Sequence, residues 1–235
     1  MQNAIEVSGL FKHYPDFDLK NVSFTVPAGS IVGLIGENGA GKTTTLRAIL
    51  GALKPDSGEI RLLDKTPDDV SVKSQIGVVF SDAFYCELFS ANQIRKSLSA
   101  IQPGFDRSYW DSLLDRFAIP ANKPVKDLSL GMRAKLRLAA AISHHPKLLI
   151  LDEATSGLDP IMQGEVLDLL WDFIQQEDHS VLMSTHITSD LEKIADSIVF
   201  IHKGELLFQK DSTDLLDRCG LLRTSQEQLD ICPEN

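Results

Sequence analysis

Short apolar runs, each closed by glycine, proline or polar turn residues, recur along the chain and set its framework. Ile5-Glu6-Val7 and the alternating Val22-Ser23-Phe24-Thr25-Val26 read as the first strands. Pro27-Ala28-Gly29 then turns into Ile31-Val32-Gly33-Leu34-Ile35, apolar throughout, the pattern of a parallel strand buried on both faces. From Thr44 to Leu50 the apolar residues recur at helical spacing, and Lys54-Pro55-Asp56-Ser57-Gly58 ends that helix. Glu59–Leu63 and Ile76–Phe80 read as further strands. The stretch from Asp82 to His145 is mainly helical, with Trp110, Leu113, Leu114 and Phe117 on one face. Strands return at Leu148–Leu151, Val181–Ser184 and Ile198–Ile201, and the Lys203-Gly204 turn joins the last to Leu206-Leu207-Phe208 as a hairpin. After Asp211 the pattern predicts one short helix and a polar, frayed end.

Helices between successive strands imply a mainly parallel sheet, with ligands at the strands' carboxyl ends. The expected organisation is one domain over 1–235. An α/β core occupies 1–81 and 146–210, a helical subdomain is inserted at 82–145, and 211–235 is a tail. An apolar content of 43% is ample for a core, and no apolar run approaches the ~18 residues of a membrane span. Met1–Val7 lacks a basic region followed by an apolar one, so no secretory leader is expected. Three scattered cysteines, Cys86, Cys219 and Cys232, suggest neither a disulfide framework nor a metal site and point to a reducing cytosol. The net charge of −10 disfavours a broad nucleic-acid-binding face.

Two motifs carry chemistry. Gly36-Glu37-Asn38-Gly39-Ala40-Gly41-Lys42-Thr43-Thr44 fits G-x-x-x-x-G-K-[ST] and stands between a buried strand and a helix. Its glycines let backbone N–H groups turn inward around phosphates, and the helix N-terminus adds favourable partial charge. Lys42 reaches the β- and γ-phosphate oxygens, and the Thr43 hydroxyl is a ligand for Mg²⁺. Leu148-Leu149-Ile150-Leu151-Asp152-Glu153 delivers two acids at a strand end. Asp152 is placed to hold Mg²⁺, directly or through water, and Glu153 to orient or deprotonate an attacking water. Leu128-Ser129-Leu130-Gly131-Met132 precedes a helical run: Ser129 is a good helix N-cap and Gly131 allows close backbone approach.

Together these elements resemble the ATP-binding cassette (ABC) ATPase family, over about Ile5 to Asp211. Leu128–Met132 is similar to the family's signature, usually Leu-Ser-Gly-Gly-Gln. Ser156-Gly157-Leu158-Asp159 resembles its D-loop, and Ser184-Thr185-His186 its switch histidine. The resemblance implies an α/β P-loop NTPase core with an antiparallel N-terminal β-subdomain. It further implies a head-to-tail dimer with two ATP molecules at the interface. Ser129 and Gly131 would then contact the γ-phosphate held by the other subunit. His186 would hold the γ-phosphate and Glu153, and Asp159 would meet the opposite subunit. Tyr14 matches the aromatic that family members stack on adenine, with Phe17 a second candidate. The implied cofactors are ATP and Mg²⁺.

Two departures stand out. Ser81-Asp82 occupies the place of the family's Q-loop glutamine, and Leu130 and Met132 replace the usual Gly and Gln of the signature. The apolar run Phe84-Tyr85-Cys86-Glu87-Leu88-Phe89 would line a groove for a membrane subunit's coupling helix, or pack the helical subdomain. The resemblance implies the ATP-hydrolysing subunit of an ABC transporter, paired with itself or with a second ABC ATPase. Transmembrane permease subunits would hold it at the cytoplasmic face of the cell membrane, with no nucleic acid involved. The Leu-Ser-x-Gly-Met signature favours export. The rival readings are a single-cassette ATPase of an assembly pathway and a low-turnover ATP-binding switch.

Overall fold

The computed structural model describes residues 2–80, 86–176 and 178–218. Ser81, Asp82, Phe84, Tyr85, Cys219 and Cys232 lie outside them. The chain opens with β1 (Asn3–Tyr14), β2 (Phe17–Pro27) and β3 (Ile31–Ile35), followed by α1 (Lys42–Ile49) and β4 (Ser57–Leu62). The short α2 (Val70–Lys73) leads to β5 (Ile76–Val79). Three helices then intervene, α3 (Ala91–Ile101), α4 (Arg107–Arg116) and α5 (Leu130–Ile142). β6 (Leu148–Asp152), α6 (Pro160–Ile174), β7 (Ser180–Thr185), α7 (Thr188–Ile194), β8 (Ser197–His202), β9 (Glu205–Asp211) and α8 (Ser212–Arg218) complete the fold.

Among the described residues nine strands form one sheet in the order β4-β1-β2-β9-β8-β3-β7-β6-β5. From β8 to β5 all neighbours run parallel, whereas β1 is antiparallel to β2 and β4, and β8 to β9. The expected fold class is therefore the observed one, with the antiparallel part at the N-terminal edge. β1 is much longer than the Ile5–Val7 run suggested. It pairs with both β2 and β4 as far as Phe11, and pairing with β2 alone carries it on through polar Lys12 and His13 to Tyr14, because ladder hydrogen bonds override local polarity.

β6 is buried along its whole length. Leu148 and Ile150 join one apolar cluster with β1, β2 and α1, while Leu149 and Leu151 join the other with α4, α5 and α6. Alternate side chains of one strand thus anchor two cores, each fully buried Leu or Ile contributing roughly 1.5–3 kcal/mol. Trp110, Leu113, Leu114 and Phe117 are buried together in the second cluster, as their helical spacing predicted. There α5 lies against β5 so closely that a Cβ on Gly77 would overlap the Ala141 carbonyl. Parallel pairing aligns Ile35 with Thr185 and Asp152 with Ser184. The ends of β3, β6 and β7 thereby open on one edge.

Candidate functional site

At that edge the chain turns from β3 into α1 through the glycine loop. Gly41 caps α1 in the left-handed conformation, φ 109°, which a side chain would strain. A Cβ there would also come within 2.9 Å of the Phe17 ring. Helix geometry leaves the N–H groups of Lys42, Thr43 and Thr44 without intrahelical acceptors. The N–H of Thr45 is the first to be satisfied, by the Gly41 carbonyl at 2.9 Å. A turn of free amides at a helix N-terminus attracts an anion. Lys42 is only 6% exposed, and its Nζ donates to the carbonyls of Gly36 at 2.7 Å and Glu37 at 3.3 Å.

The loop is braced from behind by the β8–β9 turn. The Gly204 N–H donates to the Ala40 carbonyl at 3.0 Å, and a Cβ on Gly36 would overlap the Ile201 carbonyl. Gly36 and Ala40 therefore face the sheet. Glu37, Asn38, Gly39 and Gly41–Thr44 line a cleft of about 670 Å³ together with Tyr14, Asp16, Phe17 and Glu153. The Tyr14 and Phe17 rings stand 6.4 Å apart, tilted by 37°. They come from the tip of the β1–β2 hairpin, where Tyr14 pairs with Phe17. Apolar rings at one end and amides with an ammonium at the other suit a nucleotide, and the volume lies within the range of small-molecule sites.

β6 supplies the acids. Asp152, 1% exposed, accepts from the Thr43 hydroxyl on Oδ2 at 3.0 Å and from the Ser184 hydroxyl on Oδ1. Glu153 turns into the left-handed region, φ 53°, with its N–H on the Ser184 carbonyl at 3.0 Å. That turn points its carboxylate along the cleft. Oε2 lies 2.7 Å from His186 Nδ1, and Oε1 lies 3.6 Å from Lys42 Nζ. Lys42, Thr43, Asp152, Glu153 and His186, from three separate stretches of sequence, thus converge. Thr43 and Asp152 offer hard oxygen donors, the chemistry Mg²⁺ takes alongside substrate phosphates. Among the described residues no group of three or more His, Cys, Asp or Glu side chains could hold a metal ion. A site completed by phosphate oxygens fits that donor set.

Ser129, Gly131 and Asp159 lie away from this cleft. The Ser129 hydroxyl caps α5, accepting from the Met132 N–H at 3.2 Å. The Asp159 carboxylate caps α6 through the N–H groups of Ile161 and Met162 at 3.0 and 3.1 Å. Within the chain the group close to Gly131 is a side chain and not backbone: a Cβ there would lie 3.1 Å from Met162 Cγ and Sδ. Ser184, Asp16 and His202, whose Nδ1 is 3.9 Å from Glu37 Oε2, were given no role by sequence reasoning. For Ser184 a signal existed, a polar residue ending the apolar run Val181–Met183. Of the apolar run after β5, Leu88 and Phe89 are exposed. No helix among the described residues is long and apolar enough to cross a membrane.

The family described as ABC transporter matches residues 19–156 of the chain. Over 200 residues the chain is 34% identical to the ABC transporter ATP-binding protein YtrB of Bacillus subtilis (strain 168), covering 84% of this chain and 68% of that protein. It is 33% identical over 224 residues to the bacitracin transport ATP-binding protein BcrA of Enterococcus faecalis, covering 93% and 72%. Its fold is similar to that of a solved ATP-binding subunit of an ABC transporter, with a TM-score of 0.81 and 27% identity over 97% of this chain and 98% of the other.

Proposed function

The chain belongs to the ABC transporter family as an ATP-binding, ATP-hydrolysing subunit, and on that premise we propose that it acts as one of two cassettes paired head to tail on membrane-spanning partner chains. Each cleft would hold one ATP, with the Ser129–Gly131 turn of the opposite cassette closing on its γ-phosphate. The adenine would lie against Tyr14 and Phe17, and the phosphates in the amides of Gly39 to Thr44 with Lys42 as counter-charge. Thr43 and Asp152 would hold Mg²⁺, which when bound would supply positive charge against the phosphates. Glu153 takes a proton from the attacking water, and His186 fixes the carboxylate that does so.

The observation that carries this reading is the 2.7 Å contact between His186 and Glu153 beside Lys42. It is the geometry of a base held by a second group within reach of a phosphate site, and a positioned base contributes roughly 10²–10⁴-fold to rate. Capping at Ser129 and Asp159, outside the cleft of their own chain, supports use of those turns on a partner. Exposed Leu88 and Phe89 support docking against a membrane subunit, so that membrane contact is indirect and at the cytoplasmic face. The Leu-Ser-x-Gly-Met signature supports export as the direction, and similarity to a bacitracin transport protein supports transport as the work performed. Closure by ATP would drive the partners through the affinity difference between open and closed states.

The test is Glu153→Gln. Turnover should fall by about 10²-fold or more, ATP should still bind, and size exclusion with ATP should show an accumulated dimer. A monomeric variant with wild-type turnover would remove Glu153 from its role.

A further inference from the structure

Where α5 runs past the turn at residues 157–159 and then α6, three contacts follow one another. Leu130 Cδ2 lies 3.5 Å from the position a Cβ would take on Gly157, and Met162 covers Gly131. One turn further along α5, the Lys135 ammonium meets the Glu165 carboxylate. Gly131 and Lys135 are four residues apart on α5, and Met162 and Glu165 three apart on α6, so these contacts share one face of each helix. Lys135 is 4% exposed, and its Nζ also sits 5.7 Å from the centre of the buried Phe117 ring. A lysine sunk this deeply is costly without its counter-charge. An apolar pair would fill the same space. An ion pair with its lysine buried and its glutamate half exposed adds direction, because its charges meet best in one register of the two helices.

The two turns that this register sets are those capped by Ser129 and Asp159. Neither Lys135 nor Glu165 reaches the cleft. We propose that Lys135 and Glu165 are positioning residues that hold the Ser129–Gly131 turn and the Asp159 turn as one rigid face, the face presented to the nucleotide of a second cassette. The use of that face rests on the paired-cassette reading; the coupling of the two turns does not.

The experiment compares the full chain with Lys135→Met, Lys135→Arg and the swap Lys135→Glu/Glu165→Lys. Amide hydrogen exchange reads residues 128–132 and 157–162, and steady-state kinetics separates kcat from KM. Lys135→Met should speed exchange about 5-fold or more in both turns together and lower kcat about 10-fold, with KM for ATP within about 2-fold. Lys135→Arg and the swap should recover most of both losses. Exchange unchanged in either turn, or a KM that rises in step with the fall in kcat, would overturn the proposal. Should Lys135→Met not fold, Glu165→Gln carries the same readouts, since Glu165 is half exposed. A monomeric Glu153→Gln together with coupled loosening in Lys135→Met would reject the paired reading and keep the positioning role. A dimeric Glu153→Gln with no coupling would do the reverse.

Discussion

Ser184 is the least conspicuous member of the site and one of its most constrained. Its hydroxyl serves the Asp152 oxygen that Thr43 does not reach, so both oxygens of a buried carboxylate have a donor. Ser184→Ala would leave Oδ1 buried without its partner, and hydrogen bonds to charged groups are worth about 1.5–3 kcal/mol. Urea unfolding should show a loss of that size at unchanged m-value, with a higher Mg²⁺ concentration needed for half-maximal turnover. An unmoved midpoint would mean that Asp152 has another donor. Lys42, Thr43, Asp152 and Glu153 stood out in the sequence through two short motifs whose spacing suits their chemistry, and His186 through the family resemblance of Ser184–His186; the structure brings these five side chains together. Ser184 stood out in the sequence only as a polar residue ending an apolar run; its role exists only once β6 and β7 lie side by side.

Among the elements, the β8–β9 turn does more than reverse the chain. Gly204 adopts φ 80°, its N–H holds the Ala40 carbonyl, and its own carbonyl accepts from the Lys20 N–H at 2.7 Å. A Cβ there would overlap the Asp18 carbonyl, so the turn is wedged between β2 and the phosphate loop. Gly204→Ala combines an unfavourable backbone conformation with a clash against main chain, a cost of order 1–3 kcal/mol. Because a turn pushed off β2 carries with it the N–H that holds the Ala40 carbonyl of the phosphate loop, KM for ATP should rise several-fold while kcat changes less. Lost stability with unchanged KM would confine the turn to folding. The hairpin was readable from Lys203-Gly204 between two apolar runs; its seat on the phosphate loop was not, since local turn chemistry says nothing of what the turn packs against.

At the scale of the whole molecule, acid is the expected weakness. His144 and His179 are buried, and burial holds both imidazoles below their ordinary pKa of 6.5, against the opposing pull of a backbone hydrogen bond on each. His144 keeps Nε2 on the Ile76 carbonyl at 3.2 Å, and His179 packs on the Phe173 ring at 4.4 Å. A base whose folded pKa is depressed binds fewer protons than in the unfolded chain. Stability is therefore full above pH 6.5 and declines as pH falls from there towards the folded values. Asp56, Asp69 and Asp106, lowered from 3.8 chiefly by hydrogen bonds, add a separate loss further into acid. Thermal midpoints should be flat above about pH 7 and slope downward below it. In His144→Gln/His179→Gln the slope between pH 6.5 and 5 should flatten, whatever the absolute midpoint. An unaltered slope would place the acid sensitivity elsewhere.

What the sequence determined by itself was everything that rests on neighbours along the chain. Apolar runs made the strands, Gly36–Thr44 made a glycine-rich turn that opens a helix, Leu148–Glu153 made a buried strand ending in acids, and the order of these motifs made the family resemblance. The tertiary structure alone decided which distant groups meet. It extended β1 to Tyr14, brought Phe17 onto Gly41, set Met162 against Gly131, and sank Lys135 beside Glu165. The reason is physical: local propensity and spacing depend on covalent neighbours, whereas burial, register and charge pairing depend on surfaces that exist only after the elements have packed.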